Sequence, residues 1–335
     1  MGRTVVIKSI ATHLPAGRLD NEELSRRFPE WSPEDILRKT GIRARALADP
    51  QECASDLAHR AAEKLLAGSE VRRADIDVLA FCTQSPDYLL PTTACVLQDR
   101  LALPQRCMAF DFNLGCSGYV YGLALVQGLL ASGIGRRALL LTADTYTHYV
   151  HPSDRATAAI FGDAGTATLL EAVEDGSGGL GPFVFGTDGS GHANLMVPAS
   201  ACRPASNGKE GSQGPRPGRL HMDGPRIFEF CMRRVPAAVR ELLALADTDV
   251  DGIDRFVFHQ ANRFMMESIR KRLGISADRF AYRLEDVGNT VSSTIPMALE
   301  AEIEAGRIRE GNRVMLVGFG VGYSWGACLV DWPRG

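Results

Sequence analysis

No stretch of about 18 consecutive apolar residues occurs in the 335-residue sequence, so no transmembrane span is expected. The first residues, MGRTVVIKSIATHLP, lack the apolar core and small-residue cleavage pattern of a secretory leader, and Val6 breaks the myristoylation pattern. Eight cysteines are present, yet none is spaced CxxC, and no Cys/His group has zinc-ligand spacing. Neither a disulfide framework nor a metal centre is expected, and the chain reads as reduced and cytoplasmic. Charge of one sign is also missing: 37 Lys and Arg oppose 40 Asp and Glu, a formal net charge of −3, which excludes the global basic field of a nucleic-acid binder. HExxH, GxSxG, the P-loop, the dinucleotide fingerprint and the kinase motifs are all absent.

What remains is an ordinary globular composition, with 45% apolar and 23% charged residues. Strand-like runs alternate with amphipathic helical ones, which predicts an α/β fold with a largely buried sheet. Two segments align without a gap: ADIDVLAFCTQ (74–84) and DGIDRFVFHQA (251–261), with Asp77 over Asp254. Each follows an amphipathic helix, and each half ends in a Gly-bearing strand region. A duplicated α/β unit explains the match. It predicts five layers, helix–sheet–helix–sheet–helix, with one half over residues 1–175 and the other over 176–335. The Gly-, Pro- and Ser-rich stretch 199–219 is expected to be a surface loop.

Two residues stand where strands end, and a third lies in a turn. Cys116, in LGCSGYVYGL, follows a strand-like run and precedes a helical one. Small neighbours and a helix N-terminus suit a thiolate nucleophile, although a buried structural thiol fits the local sequence too. Most of the other cysteines, Cys82, Cys95 and Cys328 among them, sit in apolar segments and read as buried hydrophobes. His259 closes the strand RFVFH, and Asn289 lies in the turn GNT (288–290) ahead of a helix. Taken singly, a core histidine and a turn asparagine would account for them.

Together they do more. LGCSGYVYGL, HQAN (259–262) and GNTVSSTIPMAL (288–299), in that order, resemble the β-ketoacyl-[acyl carrier protein] synthase III family of thiolase-fold condensing enzymes. KTGIRAR (39–45), DRATAAIFGDAGTATLL and GFGVGYSWGACLV extend the resemblance over nearly the whole chain. It implies a thiolase-like fold and a Cys116–His259–Asn289 triad. It also implies an oxyanion hole from the backbone N–H groups of Cys116 and Val321, and a homodimer. The implied reaction is acylation of Cys116 by an acyl thioester, then decarboxylative Claisen condensation with a malonyl thioester, in fatty acid or secondary-metabolite synthesis. An acyltransferase of the same fold, forming an ester or amide without loss of CO₂, is the alternative. No cofactor is implied; coenzyme A or phosphopantetheine thioesters are substrates, and an acyl carrier protein is the partner.

The resemblance further implies substrate contacts at Lys39, Arg155, Phe228, Phe319 and Leu90. Two departures bear on these. The family's adenine-stacking Trp position corresponds to Asp35, which brings an acyl carrier protein forward as donor. Leu90 replaces the Phe that caps the acyl pocket across the dimer, which predicts medium or longer chains. In NRFMMESIRKRLG, Arg263, Arg270, Lys271 and Arg272 predict a basic helix face for carrier-protein docking, Arg263 and Arg270 being seven apart.

Overall fold

The computed structural model describes residues 3–174, 178–204 and 215–332. In chain order its main elements begin with strand β1 (Thr4–His13), helices α1 (Pro33–Thr40) and α2 (Ala54–Ala67), and strands β2 (Val78–Cys82) and β3 (Met108–Phe112). Helix α3 (Gly118–Ala131) and strands β4 (Arg137–Asp144), β5 (Ala164–Val173) and β6 (Gly179–Thr187) follow. Then come α4 (Gly224–Leu245), β7 (Arg255–Phe258), α5 (Arg263–Arg272), α6 (Thr294–Glu304), β8 (Arg313–Gly320) and β9 (Ser324–Asp331).

The larger sheet runs β1-β5-β4-β2-β3, and a second runs β6-β9-β8-β7. Their pairings correspond. β4 lies parallel to β2 and antiparallel to β5, which is antiparallel to β1. β8 lies parallel to β7 and antiparallel to β9, which is antiparallel to β6. Where β3 lies parallel to β2, the second sheet has a single parallel bridge, Phe256 to Phe280. The aligned aspartates explain the matching sequence. Asp77 donates its N–H to the Arg137 carbonyl (2.9 Å) and its carboxylate accepts from the Arg136 N–H (2.8 Å). Asp254 donates to the Arg313 carbonyl (2.9 Å) and accepts from the Arg313 N–H (2.7 Å). Each aspartate thus fixes the register of a parallel pair where the chain enters the sheet.

Helix composition sorts the layers. α3 carries no charge and packs on both sheets, as an all-round apolar helix must. α6 lies beside it in the same central layer, touching β1, β5, β7 and β8. The amphipathic α2 and α4 cover the outer faces, on β5, β1 and β4 and on β9, β6 and β8 respectively. The result is the predicted five-layer architecture. Segment 199–219 carries a turn and exposed residues where described; its residues 205–214 lie outside the described residues. One cysteine expectation fails: Cys95 is exposed on the outer side of its helix, whereas Cys82 and Cys328 are buried. Among the described residues no helix is long and apolar enough to cross a membrane, and no group of three or more His, Cys, Asp or Glu is placed to hold a metal ion.

Candidate active site

Cys116 lies in the turn between β3 and α3, buried against β8. That close approach requires glycine in the strand. A Cβ on Gly320 would sit 2.8 Å from the Cys116 Sγ, and one on Gly318 would sit 2.8 Å from the Cys116 carbonyl oxygen. Ser117 and Ser324 hydroxyls, 2.7 Å apart, tie the turn to the start of β9. The backbone N–H groups of Val321 and of Cys116 itself favour the anionic sulfur. Burial nevertheless pushes the Cys116 thiol up to about 12, the Asp144 carboxyl adding to the shift and the two N–H groups opposing it. This corrects the thiolate expected from the helix N-terminus. Desolvation outweighs the backbone dipoles here, and the resting group is a thiol that needs a base.

His259 follows β7, with the Phe319 ring edge-on 5.5 Å away. Burial holds the imidazole neutral, lowering it to about 3. Its tautomer follows from Thr294. The Thr294 hydroxyl donates to the Val291 carbonyl (3.0 Å), and its oxygen lies 2.7 Å from His259 Nδ1. With its one hydrogen committed, that oxygen accepts from Nδ1–H, and Nε2 is left with a free lone pair. Asn289 Nδ2 stands 3.5 Å from Nε2. Its Oδ1 accepts from the Val291 N–H (3.0 Å), so the amide presents its NH₂ to the site. The backbone of Asn289 is zipped to Ile160 and Gly162 by bonds of 2.9 and 3.0 Å.

Cys116, His259, Asn289 and Phe319 line one cavity of about 430 Å³, whose other walls are mainly apolar, with Met222, Ile227 and Met265 toward α4 and α5. Beneath it, Asp144 at the end of β4 accepts from the Gln84 N–H (2.7 Å), the Ser292 N–H (3.3 Å) and the Ser292 hydroxyl. The carboxyl joins the loop after β2 to the loop carrying Asn289, and burial raises it to about 7. Sequence reasoning missed both Thr294 and Asp144. The signal was there, as a hydroxyl five residues beyond Asn289 and an acid ending the strand RALLLTAD.

The remaining expected contacts divide. Arg155 and Lys39 are brought together over one ring, that of Trp31, at 4.7 and 4.6 Å from its centroid. Asp35 donates its N–H to the Ser32 hydroxyl (3.1 Å) and pairs with Arg38, and the Trp31 indole lies four residues earlier in the chain. Phe228 stacks on Phe264 at 5.4 Å. Leu90 is 83% exposed and lines neither this cavity nor another described here. On α5, Arg263 lies over Tyr282, and Lys271 and Arg272 are exposed. Arg270 does not share an open face with Arg263. Its guanidinium donates to Glu267 (2.8 Å) and to the Ile275 carbonyl (2.6 Å), leaving the side chain 14% exposed.

The two sheets of matching topology, with Cys116 after β3, His259 after β7 and Asn289 in the turn before α6, have a thiolase-like enzyme fold. Residues 110–189 match the family described as 3-oxoacyl-[acyl-carrier-protein (ACP)] synthase III, and residues 243–332 its C-terminal counterpart. The chain is 36% identical over 332 residues to the β-ketoacyl-[acyl-carrier-protein] synthase III of Symbiobacterium thermophilum, covering 99% of each. It is 34% identical over 327 residues to that of Neisseria gonorrhoeae, covering 97% of this chain and 98% of the other. The crystal structure of a 3-oxoacyl-(acyl-carrier protein) synthase from Burkholderia xenovorans superposes with a TM-score of 0.94 at 38% identity, over 99% of this chain and 95% of that one. The chain belongs to the β-ketoacyl-[acyl carrier protein] synthase III family.

Proposed function

We propose that this protein catalyses decarboxylative condensation of an acyl thioester with a malonyl thioester through an acyl-Cys116 intermediate. The observation that carries this is the one cavity lined by Cys116, neutral His259 and the NH₂ of Asn289. In the first half-reaction, Cys116 Sγ attacks the acyl carbon while its proton passes to the free Nε2 of His259 and on to the leaving thiolate. The N–H groups of Cys116 and Val321 receive the oxyanion. In the second, the malonyl thioester oxygen sits between Asn289 Nδ2 and His259 Nε2. Donation from Nε2 needs the other neutral tautomer: Nε2 takes a proton from solvent, Nδ1 gives one back to solvent, and the Thr294 hydroxyl turns from the Val291 carbonyl to donate to Nδ1. As CO₂ leaves, the enolate is held by these two donors. Its carbon attacks the acyl carbonyl, and the released Cys116 thiolate takes a proton from solvent. A neutral amide and imidazole suit this task, since a carboxylate would repel the enolate.

The reactants are thioesters of coenzyme A or of carrier-bound phosphopantetheine, and no other cofactor enters the scheme. The Trp31 indole with Arg155 and Lys39 above it offers an aromatic face and two cations, which supports a coenzyme A donor. Exposed Lys271 and Arg272 on α5 support an acidic acyl carrier protein as malonyl partner. The free edge of β3, with Met108 44% exposed, and the loop Tyr88–Leu90, 58 to 83% exposed, support a homodimer. The function is tested by CO₂ release from malonyl thioester with and without an acyl donor. Donor-stimulated release with carbon–carbon bond formation is expected. Acyl transfer to an alcohol or amine with no CO₂ would establish the acyltransferase instead.

A further inference from the structure

A second cavity, of about 480 Å³, adjoins the first through Leu195. Three residues join it to the nucleophile. Leu195 lines both cavities. Val321, whose Cγ1 would sit 2.7 Å from a Cβ on Gly115, lines the second one. Gln84 packs so closely on Gly115 that a Cβ there would sit 2.4 Å from its Oε1. An acyl group on Cys116 that passes Leu195 would enter this space.

Its lining differs in kind from the apolar first cavity. Gln84, Asn113, Tyr146 and Tyr149 all face it. The Tyr146 hydroxyl donates to Gln84 Oε1, and Gln84 Nε2 donates to Asn113 Oδ1 (2.9 Å). The polarity of this relay leaves donors over. Gln84 Nε2 keeps one hydrogen, Asn113 Nδ2 keeps two, and the Tyr149 hydroxyl has no hydrogen-bond partner among the described residues. A plain alkyl chain would strip water from these groups and return nothing, whereas an oxygen on the chain would accept from them. Sites built to bond a substrate oxygen discriminate strongly against analogues that lack it.

We infer that the acyl donor carries an oxygen substituent, a hydroxyl or keto group, which Gln84, Asn113 and Tyr149 bind in this second cavity. The inference rests on the proposed acyl-Cys116 chemistry and specifies its substrate class. Loading is an exchange of thioesters: the Cys116 S–acyl bond forms, the donor C–S bond breaks, and the thiol proton ends on the departing thiolate.

The test compares hexanoyl, 3-hydroxyhexanoyl and 5-oxohexanoyl thioesters of coenzyme A. The rate of Cys116 acylation is read by intact-protein mass spectrometry for the natural protein, Tyr149→Phe and Asn113→Leu. At least one oxygenated donor is expected to load about tenfold or more faster than hexanoyl, and each substitution to bring that ratio toward one. Equal or faster loading of hexanoyl, or a ratio that neither substitution changes, overturns the inference and leaves the condensation reading standing. No adduct at Cys116 from any donor, in protein whose melting shows it folded, overturns both.

Discussion

Replacing Thr294 by valine keeps the side chain's shape and removes the one hydroxyl against which His259 sets its proton. In the proposed scheme both half-reactions use that imidazole, first as acceptor and then as donor, so both should slow by roughly tenfold or more, a common scale for groups that orient an active histidine. Thr294→Ser keeps the oxygen and should restore most of the rate; a serine variant as slow as the valine one would mean that Thr294 only fills space. Asn289→Ala separates the halves. Its NH₂ belongs to the second step, so acylation of Cys116 should persist while condensation falls on the order of 10²–10³-fold. Equal loss of both, measured by adduct formation and CO₂ release, would assign Asn289 to holding the loop through its Val291 bond. At this scale the sequence was partly legible. Cys116 and His259 stood out because their motifs follow strands, and Asn289 because it lies in a turn ahead of a helix; the cavity brings all three together. The protonation state of Cys116 could not be read, since it depends on β8 lying against the sulfur, a contact between residues 200 positions apart in the chain.

At the scale of elements, Asp144 closes β4 and holds two catalytic loops in place. Its folded-state pKa, raised to about 7, stands above that of the unfolded chain. The stability it contributes is therefore complete below about pH 4 and is lost as pH rises through about 7. Buried Asp163, raised to about 6, acts in the same direction, while His259, lowered to about 3, adds stability as pH rises toward about 6.5. Comparing the natural protein with Asp144→Asn isolates one group. Its advantage in melting temperature should shrink between about pH 4.5 and about pH 7.5. A difference that stays constant over that range would mean Asp144 is ionised throughout. On α5 the prediction is electrostatic. Charge reversal at Lys271 and Arg272 should raise KM for a malonyl carrier protein, more so at low salt, and leave turnover of a small malonyl thioester mimic nearly unchanged. Equal damage to both substrates would place docking elsewhere. Helical spacing put α5 in the right place, but the reach of Arg270 to the Ile275 carbonyl, beyond the helix, is a property of the fold and not of the spacing.

At the scale of the molecule, the duplication is what places the chemistry. α3 and α6 occupy the central layer, and the turns leading into them carry Cys116 and Asn289. His259 enters from the end of β7, the counterpart of β2. This was visible in the sequence through Asp77 and Asp254, because a carboxylate that fixes the register of a parallel strand pair recurs wherever that pair recurs. Less visible was anything built from one half against the other without a repeated motif. Trp31 under Arg155 and Lys39, and Gln84 against Gly115, are contacts of that kind. The account rests on one covalent species, and intact-protein mass spectrometry reads it directly. Incubated with an acyl thioester, the natural protein should gain one acyl mass and Cys116→Ala none; adding malonyl carrier protein should then discharge the acyl group with release of CO₂. An adduct that forms equally on the alanine variant, or one that malonyl carrier protein leaves in place, would contradict it.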